Sequence, residues 1–344
     1  MIAAQRRTTQ INRETMKNDG VSMKPTTWAR WTAATMLTMA ALAPTQVLAQ
    51  VPARFYWKSL SGANAVPVIF NSLSGNTNPF DASHQVTPDA NLEATMALTG
   101  FAHTYTLFER SAMGAIILPM GNVSGGVAGV TQTSRGFGDP MLEFNYNLIG
   151  PKAQNTIPDV LRYEPGFSLD LLVDLALPIG EYDSKQTVNL GQNRWYGRIG
   201  APVVWQIGDW VPGRRTTLEL LPAVWLFGDN TDFDNGKTLK TDPMFQLDAH
   251  LTRDFTQNLW GGLDLTWYKG GGSTINGLAG GKLNNVAAGL TLGYTVNENL
   301  NLTVGYKSTV NDSGPNDMRL DGFMVTLVFG WHPTIEGMRR LKSE

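Results

Sequence analysis

The sequence predicts an all-β protein: a transmembrane antiparallel up-and-down β-barrel of about twelve strands that follows an N-terminal signal peptide. Three observations predict this fold. An apolar segment near the N-terminus has the length and flanks of a secretory signal. Hydrophobic and polar residues then alternate along extended segments, and short connections alternate with long ones. Cysteine is absent and only 16% of residues are charged, whereas soluble domains contain about 25%.

The apolar segment, residues 31–44, is shorter than the roughly 20 residues that a membrane-spanning helix needs. Basic residues precede it, and Val47-Leu48-Ala49 places small residues at the −3 and −1 positions of a cut before Gln50. This order of features predicts a signal peptide over residues 1–49. Met23 follows a polar stretch and offers a later translation start.

The strands are recognised by alternation with a period of two residues. The clearest example is 167–179, where hydrophobic residues occupy the odd positions and Ser168, Asp170 and Asp174 face the other side. The same pattern recurs over residues 244–255, 299–309 and 323–331. Soluble strands usually have about 5–6 residues, whereas a tilted strand needs about 9–11 to cross a bilayer. The pattern therefore indicates membrane-spanning strands.

The alternation predicts twelve strands, near residues 66–73, 90–106, 111–120, 139–149, 166–179, 194–207, 214–228, 243–255, 259–269, 284–295, 299–309 and 319–331. Long connections rich in Gly, Asn, Asp and Ser cover residues 121–138, 180–193, 229–242 and 270–283. They alternate with short ones, as extracellular loops alternate with periplasmic turns. The connection 150–165 is long in a short-turn position, and we expect a short helix there.

The chain accordingly divides into four parts: a signal peptide (1–49), an N-terminal periplasmic or plug segment (50–65), an outer-membrane barrel (66–331) and a C-terminal periplasmic tail (332–344). Residues 50–62 and 75–81 are candidates to fold into the lumen. The tail is unusual, because barrels of this kind usually end at the aromatic residue of the last strand, here Trp331.

The polar faces of the strands are predicted to line the lumen. The candidate lining residues are Asp170, Asp174, Arg194, Arg198, Arg215, Glu219, Trp225, Asp248, His250, Trp260, Asp264 and Tyr268. Acids on one strand, bases on the next and an Arg–Glu pair on the third predict an acid–base–acid ladder. These charges either set the selectivity of a pore or fill and brace the interior. Aromatics near strand ends predict interfacial girdles: Trp195, Trp205, Trp267, Tyr294, Tyr306 and Trp331.

The motifs give no support for catalysis or a bound cofactor. Neither HExxH nor GxSxG occurs. The acidic loop 229–236 departs from the EF-hand spacing and lacks its closing Glu, so we expect no metal site. His250 and Asp248 could form a general base, but the sequence offers no nucleophile beside them. We therefore expect no catalytic residue and no cofactor.

Several motifs resemble one family of Gram-negative outer-membrane barrels. They are SLSGNTNPFD (72–81), LPMG (118–121), GFGDP (136–140), LPIGEYD (177–183), NLGQNRW (189–195), GDNTDF (228–233), GKTLKTDPMFQLDAHL (236–251) and GGSTINGL (271–278). The family is called MetA-pathway of phenol degradation and occurs beside aromatic-degradation genes. The resemblance covers most of residues 54–331. Asn193, Arg194, Trp195, Asp242, Pro243 and His250 lie at the family's recurrent positions.

The resemblance implies a non-enzymatic outer-membrane channel for passive uptake of small hydrophobic or aromatic compounds linked to phenol degradation. A sealed structural or adhesive barrel is one alternative. A lipid-modifying enzyme is another; it would need a Ser/His pair at the lumen or the lipid-facing rim, and the absence of a serine on the strand face of His250 counts against it. We expect outer-membrane lipids, lipopolysaccharide, the barrel-assembly machinery and small solutes as partners. Nucleic acid is not expected, because the chain becomes more acidic once residues 1–49 are removed.

Overall fold

The computed structural model describes residues 51–343 except Pro88, Ala128 and Pro315. The predicted signal peptide, residues 1–49, lies outside the described residues. Within the described part of the chain, no helix is both long and apolar enough to cross a membrane.

The described residues are mostly β-structure. The strands are β1 (Asn64–Gly75), β2 (Asn91–Leu107), β3 (Arg110–Val127), β4 (Val130–Phe137), β5 (Met141–Ile149), β6 (Phe167–Ala176), β7 (Tyr196–Gly200), β8 (Val203–Gln206), β9 (Thr216–Phe227), β10 (Asn230–Phe233), β11 (Lys237–Thr241), β12 (Met244–Asp254), β13 (Leu259–Gly270), β14 (Ser273–Ile275), β15 (Leu278–Ala279), β16 (Leu283–Thr295), β17 (Leu300–Thr309) and β18 (Leu320–Trp331). Two helices, α1 (Ile157–Arg162) and α2 (Pro333–Ser343), accompany them.

The barrel is closed and antiparallel, with β7 and β8 together forming one of its twelve strands. Each strand pairs with its neighbours in sequence, and β1 pairs with β18 from Asn64↔Trp331 to Gly75↔Leu320. Closure leaves no edge whose backbone groups would be unpaired in lipid. The predicted barrel and its strand number are confirmed. We call the end with the short connections the turn end and the opposite end the loop end.

The strand predicted over residues 194–207 is interrupted. It divides into β7 and β8 around Pro202, and both parts pair with β6 and β9. Pro202 has no N–H to donate to a ladder, although its carbonyl accepts from the Asp170 N–H at 2.8 Å. The prediction of one continuous strand was wrong here because alternation does not reveal such a break.

Three predicted loops contain further strands. Residues 121–138, predicted as a loop, extend β3 and return as β4. The loops 229–242 and 270–283 carry β10, β11, β14 and β15, which form a separate four-stranded sheet. These strands lie beyond the bilayer, where neither face has to be apolar, so they lack the hydrophobic alternation by which the other strands were recognised.

Both helices lie at the turn end. The expected short helix is α1, where the hydroxyl and N–H of Thr156 each donate to Asp159 at 2.8 Å. The tail predicted over residues 332–344 forms α2. Arg339 holds α2 against the β16–β17 turn through Glu298 and through Asn299 at 3.0 Å.

The two faces of the wall differ in polarity as the alternation predicts. On β6, Phe167, Val173 and Leu175 are exposed outward, while Asp170 and Asp174 are buried in the lumen. The girdle aromatics also lie outside; Trp195 and Trp205 are more than half exposed. An apolar outer face with a closed backbone ladder is the surface that a lipid bilayer requires.

Candidate functional site in the barrel lumen

Residues 51–63, here called the N-terminal segment, enter the lumen at the turn end. The Arg54 guanidinium donates to Asp254 at 2.7 Å, and its backbone N–H donates to Glu219 at 2.7 Å. The indole N–H of Trp57 donates to the other Glu219 oxygen at 3.0 Å. One carboxylate on β9 and one on β12 therefore hold the segment against the wall.

Aromatic rings and a second arginine close the same region. The Arg54 guanidinium lies 4.3 Å from the ring centres of both Trp57 and Trp260. Arg215 donates to Asp254 at 2.7 Å and lies 5.1 Å from the Trp57 ring. Trp260 and Arg215, proposed from sequence as lumen lining, thus bind the N-terminal segment. Cation–π contacts contribute most when desolvated, as most of these groups are here.

Asp170, another predicted lining residue, also binds the N-terminal segment. Its carboxylate pairs with Lys58, and it accepts from Asn147 at 2.8 Å. Both members of the Lys58–Asp170 pair are nearly inaccessible to solvent. An uncompensated buried charge would be costly, so each member requires the other.

A second insertion enters from the loop end: residues 76–87, here called the inward loop. Arg194 anchors it by donating to Asp81 at 3.3 Å and Ser83 at 3.2 Å, while its other terminal nitrogen donates to Thr241 at 2.7 Å. Ser83 itself donates to Asp81 at 2.8 Å. Arg194 therefore ties the inward loop to β11.

His84 and Asp139 are buried near this inward loop. The His84 ring centre is 4.8 Å from that of Tyr268. Burial lowers the pKa of His84 to about 4 against the opposing charges of Asp81 and Asp248, so the imidazole is neutral at pH 7. Burial raises the pKa of Asp139, and hydrogen bonds from the N–H groups of Gly180 and Gln192 oppose that shift.

A cavity of about 190 Å³ remains between the two insertions. Its walls come from the N-terminal segment, the inward loop and the inner face of the barrel, and its main lining residues are Val51, Phe55, Phe80, Ala82, His84, Ile69, Met96, Met141, Glu143, Tyr196, Arg198, Trp225 and Tyr268. Trp225 and Tyr268, predicted to face inward, both lie here. Most of the lining is apolar or aromatic.

The cavity also reaches the outer surface of the wall. Its lining includes Pro67 on β1, Phe101 on β2 and Ile116 on β3. The last two are 43% and 47% exposed on the outer face. The β1–β2 ladder has no register pair at Val66 or Pro67, and proline cannot donate to a ladder. The wall is therefore less tightly paired where the cavity meets the membrane.

Only one rung of the predicted acid–base–acid ladder forms. Arg198 donates to Asp174 at 2.6 Å across β6 and β7. Arg194 and Arg215 instead bind the inward loop and Asp254, and Glu219 binds the N-terminal segment. The prediction was wrong for these residues because their partners lie on insertions that strand alternation does not place.

Residues 75–327 match the sequence model of the family described as MetA-pathway of phenol degradation. The chain belongs to this family. Together with the closed barrel and its apolar outer face, this membership identifies an outer-membrane β-barrel protein.

A solved channel structure agrees with this fold. The COG4313 outer membrane channel from Pseudomonas putida F1 is similar at a TM-score of 0.67 and 20% identity, over 82% of this chain and 99% of that one. The translocator domain of autotransporter NalP from Neisseria meningitidis aligns over 88% of this chain and 96% of its own. Its identity is 10% and its TM-score 0.47, which is too low a similarity to indicate the same fold. No curated protein matches the sequence.

The recurrent positions of the family lie mostly at the loop end. Asn193 donates to Asn230 at 3.1 Å, and Asp242 pairs with Lys282 at 3.5 Å. The Pro243 carbonyl accepts from the Gly271 N–H at 3.1 Å. Trp195 faces outward, and Arg194 anchors the inward loop. These positions therefore shape the loops above the cavity.

His250, the recurrent position within the barrel, belongs to a buried polar network. Its Nδ1 lies 2.5 Å from Asp264, which also accepts from the Thr291 hydroxyl. Nearby, Asp248 accepts from Thr266 at 2.6 Å, and Thr266 accepts from the Lys307 ammonium at 2.9 Å. Three predicted lining residues belong to this network: Asp248, His250 and Asp264. They face inward but do not line the cavity between the two insertions. Among the described residues, no group of three or more His, Asp or Glu could hold a metal ion.

Sequence reasoning missed several residues of the lumen. Glu143 and Asn145 on β5, and Lys307 on β17, are buried inside the barrel. The signal was present, because polar residues occupy positions 143, 145 and 147 of β5, and Lys307 opposes the lipid face of β17. The whole N-terminal segment was predicted only as a candidate plug, since no periodicity marks it.

Proposed function

We propose that the protein is an outer-membrane channel for passive uptake of small hydrophobic or aromatic compounds. The cavity of about 190 Å³ between the two insertions carries this proposal. An apolar cavity of about 150 Å³ stays dry and binds benzene, so the space here suits one aromatic ring with a small substituent. Trp225, Tyr196 and Tyr268 offer aromatic faces to such a ring.

The filled lumen disfavours a general pore for hydrophilic solutes. The turn end is occupied by the N-terminal segment, which is held by Asp254, Glu219 and Asp170. Wide aqueous channels are typical of 16–18-stranded barrels, whereas eight strands leave an interior that side chains fill. The interior of a twelve-stranded barrel is intermediate in width between these two cases, and here the space that remains is apolar.

The cavity lining also supports a route between lumen and membrane. An apolar solute that passes the polar outer surface has a favourable destination in the hydrocarbon of the bilayer. Phe101 and Ile116 line the cavity and face lipid, beside Val66 and Pro67, which have no register partner on β2. The family description, phenol degradation, is consistent with aromatic cargo. Outer-membrane lipids, lipopolysaccharide and the assembly machinery remain proposed partners.

Uptake by intact cells tests this proposal. A Gram-negative host that produces the protein should accumulate a low concentration of ¹⁴C-toluene faster than the host without it. Ala82 lines the cavity, so Ala82→Trp should fill the space and remove most of the gain. Ala279 is exposed at the same end, and Ala279→Trp should leave uptake unchanged. Equal uptake with and without the protein would contradict the proposal.

A sealed structural barrel is the second candidate function, and the closed turn end favours it. The two functions differ in uptake and in the response to Ala82→Trp, because a sealed barrel has no transport to lose. Heat-modifiable migration in detergent gels should be the same for both variants, which shows that each barrel is folded.

A further inference from the structure

Four buried polar atoms lie near one another beside the cavity without a hydrogen-bond partner in the protein. They are the Tyr56 hydroxyl, Glu143 Oε1, Asn145 Nδ2 and Asp174 Oδ1. All four side chains are at least nine-tenths buried. Buried polar groups in native proteins are almost always hydrogen-bonded, so such a cluster calls for a partner from outside the chain.

Strand register and packing bring these atoms together. Glu143 faces Asp174 across β5 and β6, and Asn145 faces Leu172 in the same ladder. Tyr56, on the N-terminal segment, packs against Leu172, and the charges of Glu143 and Asp174 act on its hydroxyl. One polar site is thus shared by the barrel wall and the N-terminal segment.

The polar site adjoins the apolar cavity directly. Glu143 and Arg198 line the cavity, as does Phe55, the neighbour of Tyr56. Arg198 is bound to Asp174, and the unpartnered atoms comprise two donors, the Tyr56 hydroxyl and Asn145 Nδ2, and two carboxyl oxygens. The ligand group that fits therefore both donates and accepts hydrogen bonds. A neutral hydroxyl meets this need without the desolvation cost of a buried ammonium.

We propose that Glu143, Asn145 and Asp174 bind the hydroxyl group of a one-ring hydroxylated aromatic solute whose ring occupies the cavity. This inference rests on the proposed function and names its substrate class. Glu143 is the specificity-determining residue, because it reaches both the ring cavity and the polar site. Tyr56 belongs to the N-terminal segment, so a bound hydroxyl would join that segment to the wall.

Binding of two matched fluorinated probes tests the inference. The protein from residue 50 onward is placed in lipid nanodiscs and titrated with 4-fluorophenol and with fluorobenzene. Binding is followed by ¹⁹F NMR, and partition into empty nanodiscs is subtracted. Glu143→Leu should weaken 4-fluorophenol binding about tenfold, the effect of losing one buried hydrogen bond. Fluorobenzene binding should not change. Glu143→Gln keeps an acceptor oxygen and should restore most of the affinity for 4-fluorophenol.

Control variants separate the polar site from general effects on the barrel. Glu93 is exposed at the loop end of β2, so Glu93→Leu should leave both affinities unchanged. Tyr56→Phe should weaken only the binding of 4-fluorophenol, and by less than Glu143→Leu does. Each variant is first checked for heat-modifiable migration, and an unfolded Glu143→Leu protein is replaced by Asn145→Leu, for which the same selective loss is expected.

The outcomes distinguish failure of the inference from failure of the proposed function. Unchanged 4-fluorophenol binding in Glu143→Leu, or equal loss of both probes, would overturn the hydroxyl site. If fluorobenzene binds the native protein as tightly as 4-fluorophenol, the inference fails while the proposed function stands. If neither probe binds above empty nanodiscs, both fail.

Discussion

The two halves of the lumen are filled in different ways. In the turn-end half, the N-terminal segment inserts Arg54, Trp57 and Lys58, and each finds a carboxylate partner on the wall. In the loop-end half, the inward loop enters the lumen but does not fill it. An apolar cavity lined by Met96, Trp225 and Tyr268 remains. Inserted charged side chains therefore close one half, while a lining with few polar groups leaves space in the other.

The largest expected effect comes from removing the charged closure. Deletion of residues 51–60 removes Arg54, Trp57 and Lys58 together, and should raise single-channel conductance severalfold because the turn end becomes open to water. Deletion of α2, which lies at the same end outside the lumen, is the matched control and should leave conductance unchanged. Unaltered conductance after deletion of residues 51–60 would mean that the segment does not close the turn end.

The Arg198–Asp174 pair tests whether the loop-end half is dry. Both side chains are buried, so Arg198→Ala should lower the free energy of unfolding by about 3–5 kcal/mol through the stranded Asp174. If water fills this half, the loss should be nearer ~0–1 kcal/mol, as for exposed pairs. Arg214 is exposed, and Arg214→Ala should change stability by less than about 0.5 kcal/mol. Urea unfolding in lipid vesicles measures the free energy of unfolding of the native protein and of both variants.

The two insertions should also differ in their response to pH. Burial lowers the folded pKa of His84 to about 4 from its usual 6.5, so the opened inward loop takes up a proton between these values. The stabilisation of the inward loop in its lumen position is therefore complete above pH 6.5. About 3 kcal/mol of this stabilisation is lost as the pH falls from 6.5 to 4. The N-terminal segment contains no histidine. Hydrogen exchange, corrected for intrinsic rates, should accelerate at pH 4.5 in residues 76–87 but not in 51–63.

A variant isolates the titrating group in that comparison. His84→Phe keeps a ring against Tyr268 but removes the titration, so the pH difference in residues 76–87 should disappear. Persistence of the difference in His84→Phe would assign it to another titratable group.

The wall of the barrel could be predicted because its chemistry repeats every two residues. Lipid on one side and buried polar groups on the other impose alternation, which placed Asp174, Arg198 and Tyr268 on the inner face. The same rule could not find the break at Pro202 or the strands of the loop sheet, since neither depends on a lipid-facing side.

The contents of the lumen could not be predicted, because they depend on contacts between distant parts of the chain. Arg54 and Asp254 are 200 residues apart in sequence, and no periodicity links them. Trp260 faces inward as predicted, yet it packs against Arg54 instead of lining an open lumen. Partners on irregular segments decide which inward residues close the lumen and which line a cavity.

We expect the loop-end cavity to receive an apolar ring while the turn-end half stays closed. A crystal structure of the protein soaked with bromobenzene tests this most directly, since bromine gives an anomalous signal. We expect a peak among Met96, Trp225 and Tyr268, with Arg54 and Trp57 still bound to Glu219 and Asp254. A peak confined to the outer surface, or to a turn end vacated by the N-terminal segment, would contradict it.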